Sequence, residues 1–226
     1  MGKRKLVILR KWVWAWIGLL LLCLPNFHQA AESKTILVLG DSLSAGYGLP
    51  QNTGWVSLLA KKLQQLPEKT PHRTPHHANA DYNVINASIS GETTQGGRNR
   101  LAALLQQHQP QILILALGAN DGLRGFPLSS TRDNLSAMTQ LAQRQHTKVL
   151  LIGVQLPPNY GKRYTDELKN LYTQLAKQQH TALVPTIFSG LSDDGLNYFQ
   201  EDRLHPNQRA QERILTTIWE KLQPLL

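Results

Sequence analysis

Five short runs of this sequence are apolar almost without interruption: TILVL (35–39), YNVINA (82–87), QILILAL (111–117), KVLLIGVQ (148–155) and, more weakly, TALVP (181–185). The stretches between them repeat apolar residues at helical spacing instead. Trp55, Leu58, Leu59, Leu63 and Leu66 make one such stripe. Leu101, Leu104 and Leu105 make a second, Leu135, Met138 and Leu141 a third, and Leu168, Leu171 and Leu175 a fourth. A last stripe, Ala210, Ile214, Ile218 and Leu222, closes the chain. A strand apolar on both faces must be covered on both faces, and a helix following each strand supplies the cover. The pattern predicts an α/β domain of three layers, α/β/α, of flavodoxin-like type around a central parallel sheet. At 226 residues the length suits one sizeable domain.

The first thirty residues stand apart from this pattern. Lys3, Arg4, Lys5, Arg10 and Lys11 precede an apolar run from Trp12 to Leu24, followed by Pro25 and NFHQAAES. This order is that of a secretory signal peptide, and the run is short for a spanning helix, which needs about 20 apolar residues. The expected division is a signal peptide over 1–30 and the folded domain over 31–226, with a periplasmic or secreted location. Cleavage after Ala30 puts His28 where a small residue is preferred, and an uncleaved anchor is the alternative. Cys23 follows Leu22, not the small residue that precedes a lipidated cysteine, so it reads as one more apolar residue of the run.

Five of the 24 basic residues and none of the 15 acidic ones fall in that leader, so much of the basic balance belongs to it. No Lys/Arg-dense stretch remains beyond it, and nucleic acid is not an expected partner. The single cysteine is also in the leader. Disulfides, thiolate nucleophiles and cysteine metal sites are thereby excluded from the domain. The segment PEKTPHRTPHHANAD (67–81) is rich in Pro and His and reads as an exposed loop. His72, His76 and His77 have no carboxylate-rich motif beside them, and no metal is expected there.

In an open parallel sheet, ligands bind beyond the carboxyl ends of the strands. At those ends stand Gly40, Asp41 and Ser42 after the first run, NASISGE (86–92) after the second, LGANDG (117–122) after the third and QLPPNYG (155–161) after the fourth. EDRLHPN (201–207) precedes the last helix and carries Asp202 and His205, three apart, the spacing of two side chains on one side of a helical turn. A serine hydroxyl needs an imidazole to take its proton, and the imidazole needs a carboxylate to fix its tautomer. Ser42, His205 and Asp202 supply these groups. The N–H of Ser42, the N–H of Gly91 and the side-chain amide of Asn120 are candidate donors to an oxyanion, where one lost donor costs about 2.7–4 kcal/mol.

Each of these residues also has a purely structural reading. Ser42 suits a helix N-cap, Gly91 a turn with positive φ, Asn120 a turn cap, and Asp202 and His205 a helix start before Pro206 at its first position. Asp41 reads as a support that accepts backbone N–H bonds. The G-x-S-x-G elbow is absent, because Ser44 stands where its second glycine belongs.

The blocks GDSLS, ISGETT, LGAND and DRLHP, in this order, resemble those of the SGNH or GDSL hydrolases, and the likeness extends over roughly residues 35 to 225. The resemblance implies a serine esterase acting on carboxylic esters, and on thioesters or lysophospholipids, through an acyl-enzyme. It assigns Ser42, Asp202 and His205 as the triad, and Ser42, Gly91 and Asn120 as the oxyanion hole. No metal or organic cofactor is needed, and no obligate protein partner is inferred. The expected partner is a small acyl ester or thioester, with transient contact to lipid substrates. Leu123, Phe126, Leu156, Pro157 and Pro158 are the expected walls of an acyl groove. A carbohydrate deacetylase on the same fold is the alternative, against which a chain poor in aromatic residues argues mildly.

Overall fold

The computed structural model describes residues 34–66, 82–189, 191 and 195–226. The signal peptide read at 1–30 and the Pro/His-rich segment at 67–81 lie outside the described residues. The strands are β1 (Lys34–Gly40), β2 (Tyr82–Asn86), β3 (Ile112–Ala116), β4 (Lys148–Ile152) and β5 (Ala182–Val184). They pair in the order β2-β1-β3-β4-β5, every pair parallel. The helices are α1 (Ser42–Ala45), α2 (Trp55–Gln64), α3 (Thr94–His108), α4 (Ala119–Leu123), α5 (Leu128–Arg144), α6 (Lys162–Gln178) and α7 (Gln211–Leu222).

The two-residue period of the strands sorts their apolar side chains between two cores. Ile36 and Val38 of β1, with Ile112 and Ile114 of β3, face α2 and α7 and pack with Trp55, Leu59, Ile214 and Ile218. Leu37 and Leu39, with Leu113 and Leu115, face the other way, toward Leu101 and Leu105 of α3, Leu135 and Met138 of α5, and Leu171 and Leu175 of α6. The β-branched residues thus lie largely on one face of the central strands and the leucines on the other. Each such side chain, fully buried, stabilises the fold by about 1.5–3 kcal/mol.

The chain leaves β1 for β2 across one face, then returns over β1 to reach β3 across the other. At the junction of β1 and β3 the connections diverge, and the carboxyl ends of the two strands border a crevice.

Two local expectations are corrected. The fourth strand stops at Ile152, short of residue 155, because the chain bends where β4 and the exit of β5 draw together. Gly153 donates to the Val184 carbonyl at 2.8 Å, and a Cβ on Gly153 would stand 2.3 Å from the Pro185 carbonyl oxygen. Asp202 and His205 are not on a helix. They lie in a tight turn with Arg203 in the left-handed region at φ +57°, Pro206 pairs with Phe199 in a β-bridge, and helical structure resumes only at Gln208.

Candidate active site

The exit of β1 is built to turn sharply. A Cβ on Gly40 would stand 2.6 Å from Ser44 Oγ, so only glycine fits there. Asp41 is the N-cap of α1, its carboxylate accepting from the Leu43 N–H at 3.0 Å. Ser42 is the first residue of that short helix, not its cap. Trp55 Nε1 donates to the Leu43 carbonyl at 3.1 Å and Asn86 Nδ2 to the Ser44 carbonyl at 2.9 Å, which pins α1 on two sides.

Ser42 Oγ lies 2.8 Å from His205 Nε2, and His205 Nδ1 lies 2.6 Å from Asp202 Oδ2. The other carboxylate oxygen of Asp202 accepts from the backbone N–H of Leu204 at 2.9 Å and of His205 at 3.0 Å. Burial works to raise the Asp202 pKa, but these two backbone bonds and the His205 ring outweigh it and hold the carboxyl down at about 2. An ionised carboxylate only accepts, so Nδ1 carries a proton and neutral His205 offers Nε2 as acceptor to the Ser42 hydroxyl. The Tyr47 ring packs against the imidazole with centroids 4.7 Å apart. Gln200 Nε2 donates to the Tyr47 carbonyl at 2.8 Å, tying the turn of Asp202 and His205 to the loop after α1. Gly48 leaves room for this tie, since a Cβ there would collide with the Gln200 amide.

Gly91 has φ +78°, a conformation that favours glycine, in the loop between β2 and α3. Among the described residues its N–H and that of Ser42 donate to no protein group. Asn120 Nδ2 donates to the Glu92 carbonyl at 3.0 Å and makes a weak 3.5 Å contact to Asp41 Oδ2. The Glu92 side chain, 6% exposed, is gripped by Arg100, whose Nε donates to Oε1 at 3.0 Å and whose Nη2 also reaches Oε2. The same Nη2 donates to the Ala87 carbonyl at 2.8 Å, so one guanidinium holds both ends of the 87–92 loop. Buried Asp121 fixes the next loop, accepting from the Thr94 N–H at 2.9 Å and from its hydroxyl at 2.5 Å.

Asp41 is buried, which pushes its carboxyl up to about 6 although the Leu43 N–H and His205 pull the other way. A cavity of about 460 Å³ opens beside Ser42 and His205. Leu123, Leu156, Pro157 and Pro158 line it, with Phe188 and Phe199. Phe126, expected as a wall, is exposed instead and lies outside this lining. Tyr47, Gln200 and Arg100 carry no signal in the sequence, because their contacts join segments with no common period, and Glu92 is marked only by its place in the ISGETT block. Among the described residues, no group of three or more His, Cys, Asp or Glu is arranged to hold a metal ion.

The sequence pattern of the GDSL-like Lipase/Acylhydrolase family matches residues 38–213. Esterase TesA of Pseudomonas aeruginosa is 43% identical over 206 residues, 91% of this chain and 96% of that protein. The thioesterase 1/protease 1/lysophospholipase L1 of Escherichia coli K12 is 39% identical over 215 residues, 95% of each chain. A crystal structure of the psychrotrophic esterase EstA from Pseudoalteromonas sp., inhibited by monoethylphosphonate, is 38% identical with a TM-score of 0.74 and covers 85% of this chain and 98% of its own.

Proposed function

This chain belongs to the GDSL-like Lipase/Acylhydrolase family and is a serine esterase, and from that premise we propose that Ser42, His205 and Asp202 are its triad and that its substrates are esters and thioesters of acyl chains. The observation that carries the reading is the unbroken relay from Ser42 Oγ to His205 at 2.8 Å and from His205 to Asp202 at 2.6 Å, at the edge of an apolar cavity.

In the first half of the reaction His205 Nε2 takes the Ser42 proton as Oγ attacks the acyl carbonyl. The N–H groups of Ser42 and Gly91 stabilise the oxyanion, joined by the Asn120 N–H that exchanges its weak 3.5 Å contact to Asp41 Oδ2 for the substrate oxygen. His205 then gives the proton to the leaving alcohol or thiol, and an acyl-Ser42 ester remains. Water repeats the sequence on that ester, returning the acid and free Ser42. Asp202, ionised throughout, keeps the proton on Nδ1 and stabilises the imidazolium. Every step balances without metal or cofactor.

The apolar lining favours an acyl chain over an acetyl group on a sugar, and the thioesterase and lysophospholipase name of the Escherichia coli relative agrees with it. Rates that rise with acyl length support this substrate class. Activity confined to acetyl esters would replace it with the deacetylase reading. The triad is tested with Ser42→Ala, which is expected to abolish both hydrolysis of a short p-nitrophenyl ester and labelling by a fluorophosphonate. A folded variant that keeps more than a few per cent of the rate overturns the assignment. The basic and apolar character of residues 3–24 supports export as the route to the working location, with a periplasm as that location in a host that has one.

A further inference from the structure

The contact between Ser42 and His205 crosses from one segment of chain to another, so its 2.8 Å length depends on what holds the two segments together. Asp202 cannot do this, because its bonds to His205 and Leu204 lie within one turn. The half-buried side-chain amide of Gln200 can. Its Nε2 has two hydrogens to give, and it donates to two carbonyls: that of Tyr47 at 2.8 Å, in the loop after α1, and that of Pro206 at 3.2 Å, next to His205. The backbone extends this bridge at both ends. The Gln200 N–H donates to the His205 carbonyl at 2.8 Å, and the Tyr47 N–H donates to the Ser42 carbonyl at 3.2 Å. A path of hydrogen bonds therefore runs from His205 through Gln200 and Tyr47 to Ser42, alongside the reacting contact and separate from it.

Two further features fit this path. A Cβ on Gly48 would stand 2.1 Å from Gln200 Oε1, and its φ of +71° disfavours other residues, so the loop leaves the amide its place. Gln200 and Tyr47 do not line the cavity beside Ser42. Gln211, 2% exposed, supplies a deeper tie: Oε1 accepts from the Trp55 N–H at 3.0 Å and Nε2 donates to the Asn207 carbonyl at 3.1 Å. This buried tie seats the segment after His205 against α2 and does not pass through Gln200.

We infer that Gln200 is a positioning residue for hydrolysis, its amide holding the His205 imidazole within proton-transfer reach of the Ser42 hydroxyl. The inference rests on Ser42 and His205 as nucleophile and base, and adds the group that sets their separation. A misplacement of about 1 Å costs up to about 10²-fold in rate, so a clasp at this junction acts on kcat and not on substrate binding.

Gln200→Met keeps the volume and removes both donors. In the full chain, kcat for a short p-nitrophenyl ester is expected to fall about tenfold with KM within about twofold, and fluorophosphonate labelling of Ser42 to slow in parallel. The downfield proton resonance of His205 Nδ1 is expected to persist, because the Asp202 bonds lie inside the turn. Loss of that resonance assigns Gln200 to folding of the turn and overturns the inference, as does a kcat within twofold of wild type. Gly48→Ala gives the check if Gln200→Met does not fold, since its Cβ displaces the amide and leaves Gln200 in place. Alone it is expected to lower kcat about tenfold. Beside Gln200→Met it is expected to cost less than about threefold, because backbone strain acts in both backgrounds and the collision in only one. Equal cost in the two backgrounds overturns the inference. Ser42→Ala measured in parallel keeps the two readings apart: a retained rate there sinks the triad, whereas an inactive Ser42→Ala beside an unimpaired Gln200→Met sinks the clasp alone.

Discussion

Asp41 and Asp202 are two carboxylates of one site whose surroundings push them in opposite directions. Asp41 is raised to about 6 by burial, so the fold favours its protonated form. Its contribution to stability is complete below the ordinary value of 3.8 and is lost as pH rises through about 6. Asp41→Asn keeps an acceptor for the Leu43 N–H without the buried charge. It should stabilise the protein at pH 8 by an amount on the order of 1–3 kcal/mol, and the decline of stability between pH 4 and 6 should flatten. Thermal melts across that range check it. Asp202 is lowered to about 2, despite its desolvation, by the backbone and ring bonds. Its contribution is present above about 4 and is lost as pH falls through about 2. Asp202→Asn should lower kcat by about 10²–10⁴-fold through loss of the His205 tautomer and its counter-charge. Melts of that variant should lose less stability between pH 4 and 2 than wild type. The sequence disclosed that Asp41 supports the loop, but not how burial perturbs it, because burial is a property of the packed fold.

The loop at 87–92 is held from outside itself. Arg100, on α3, grips its two ends through Ala87 and Glu92, and the Glu92 carbonyl in turn orients Asn120. Arg100→Met alone leaves a buried carboxylate unpaired, at a cost of about 3–5 kcal/mol. Replacing both partners, Arg100→Met with Glu92→Met, removes that penalty and isolates the positioning role. The double variant should fold with near-normal stability and show kcat reduced by about tenfold with KM little changed. Steady-state kinetics beside a melt separate the two effects. Gly96 is part of the same arrangement, since a Cβ there would press on the Glu92 side chain at 3.0 Å. This element is where sequence reasoning reached least far. Gly91 and Asn120 stand out as small and polar residues at strand exits, whereas Glu92 and Arg100 look like ordinary surface charges. The spacing of Asp202 and His205 suggested a helical turn, but Arg203 at φ +57° and the bonds to the Asp202 carboxylate set a tighter one.

At the scale of the whole molecule, stability and chemistry occupy different parts of the sheet. Leu113, fully buried on β3, lies three residues before the strand's carboxyl end. Leu113→Ala should destabilise the protein by about 2–5 kcal/mol, seen by denaturant unfolding, while kcat per folded molecule stays close to wild type. The layers and the sheet were legible from periodicity, because strands covered on both faces must be apolar throughout. Strand order was open to the family resemblance more than to the residues, since nothing in a single strand names its neighbour. The relay itself joins Ser42, at the exit of the first strand, to His205, 163 positions later. A chain that has assembled β1 to β4 and not yet seated residues 199–207 therefore holds Ser42 without His205 beside it. On the proposed triad, hydrolysis waits for that last segment to dock, so the chain is chemically silent while it is being made and its first turnover reports that folding has finished.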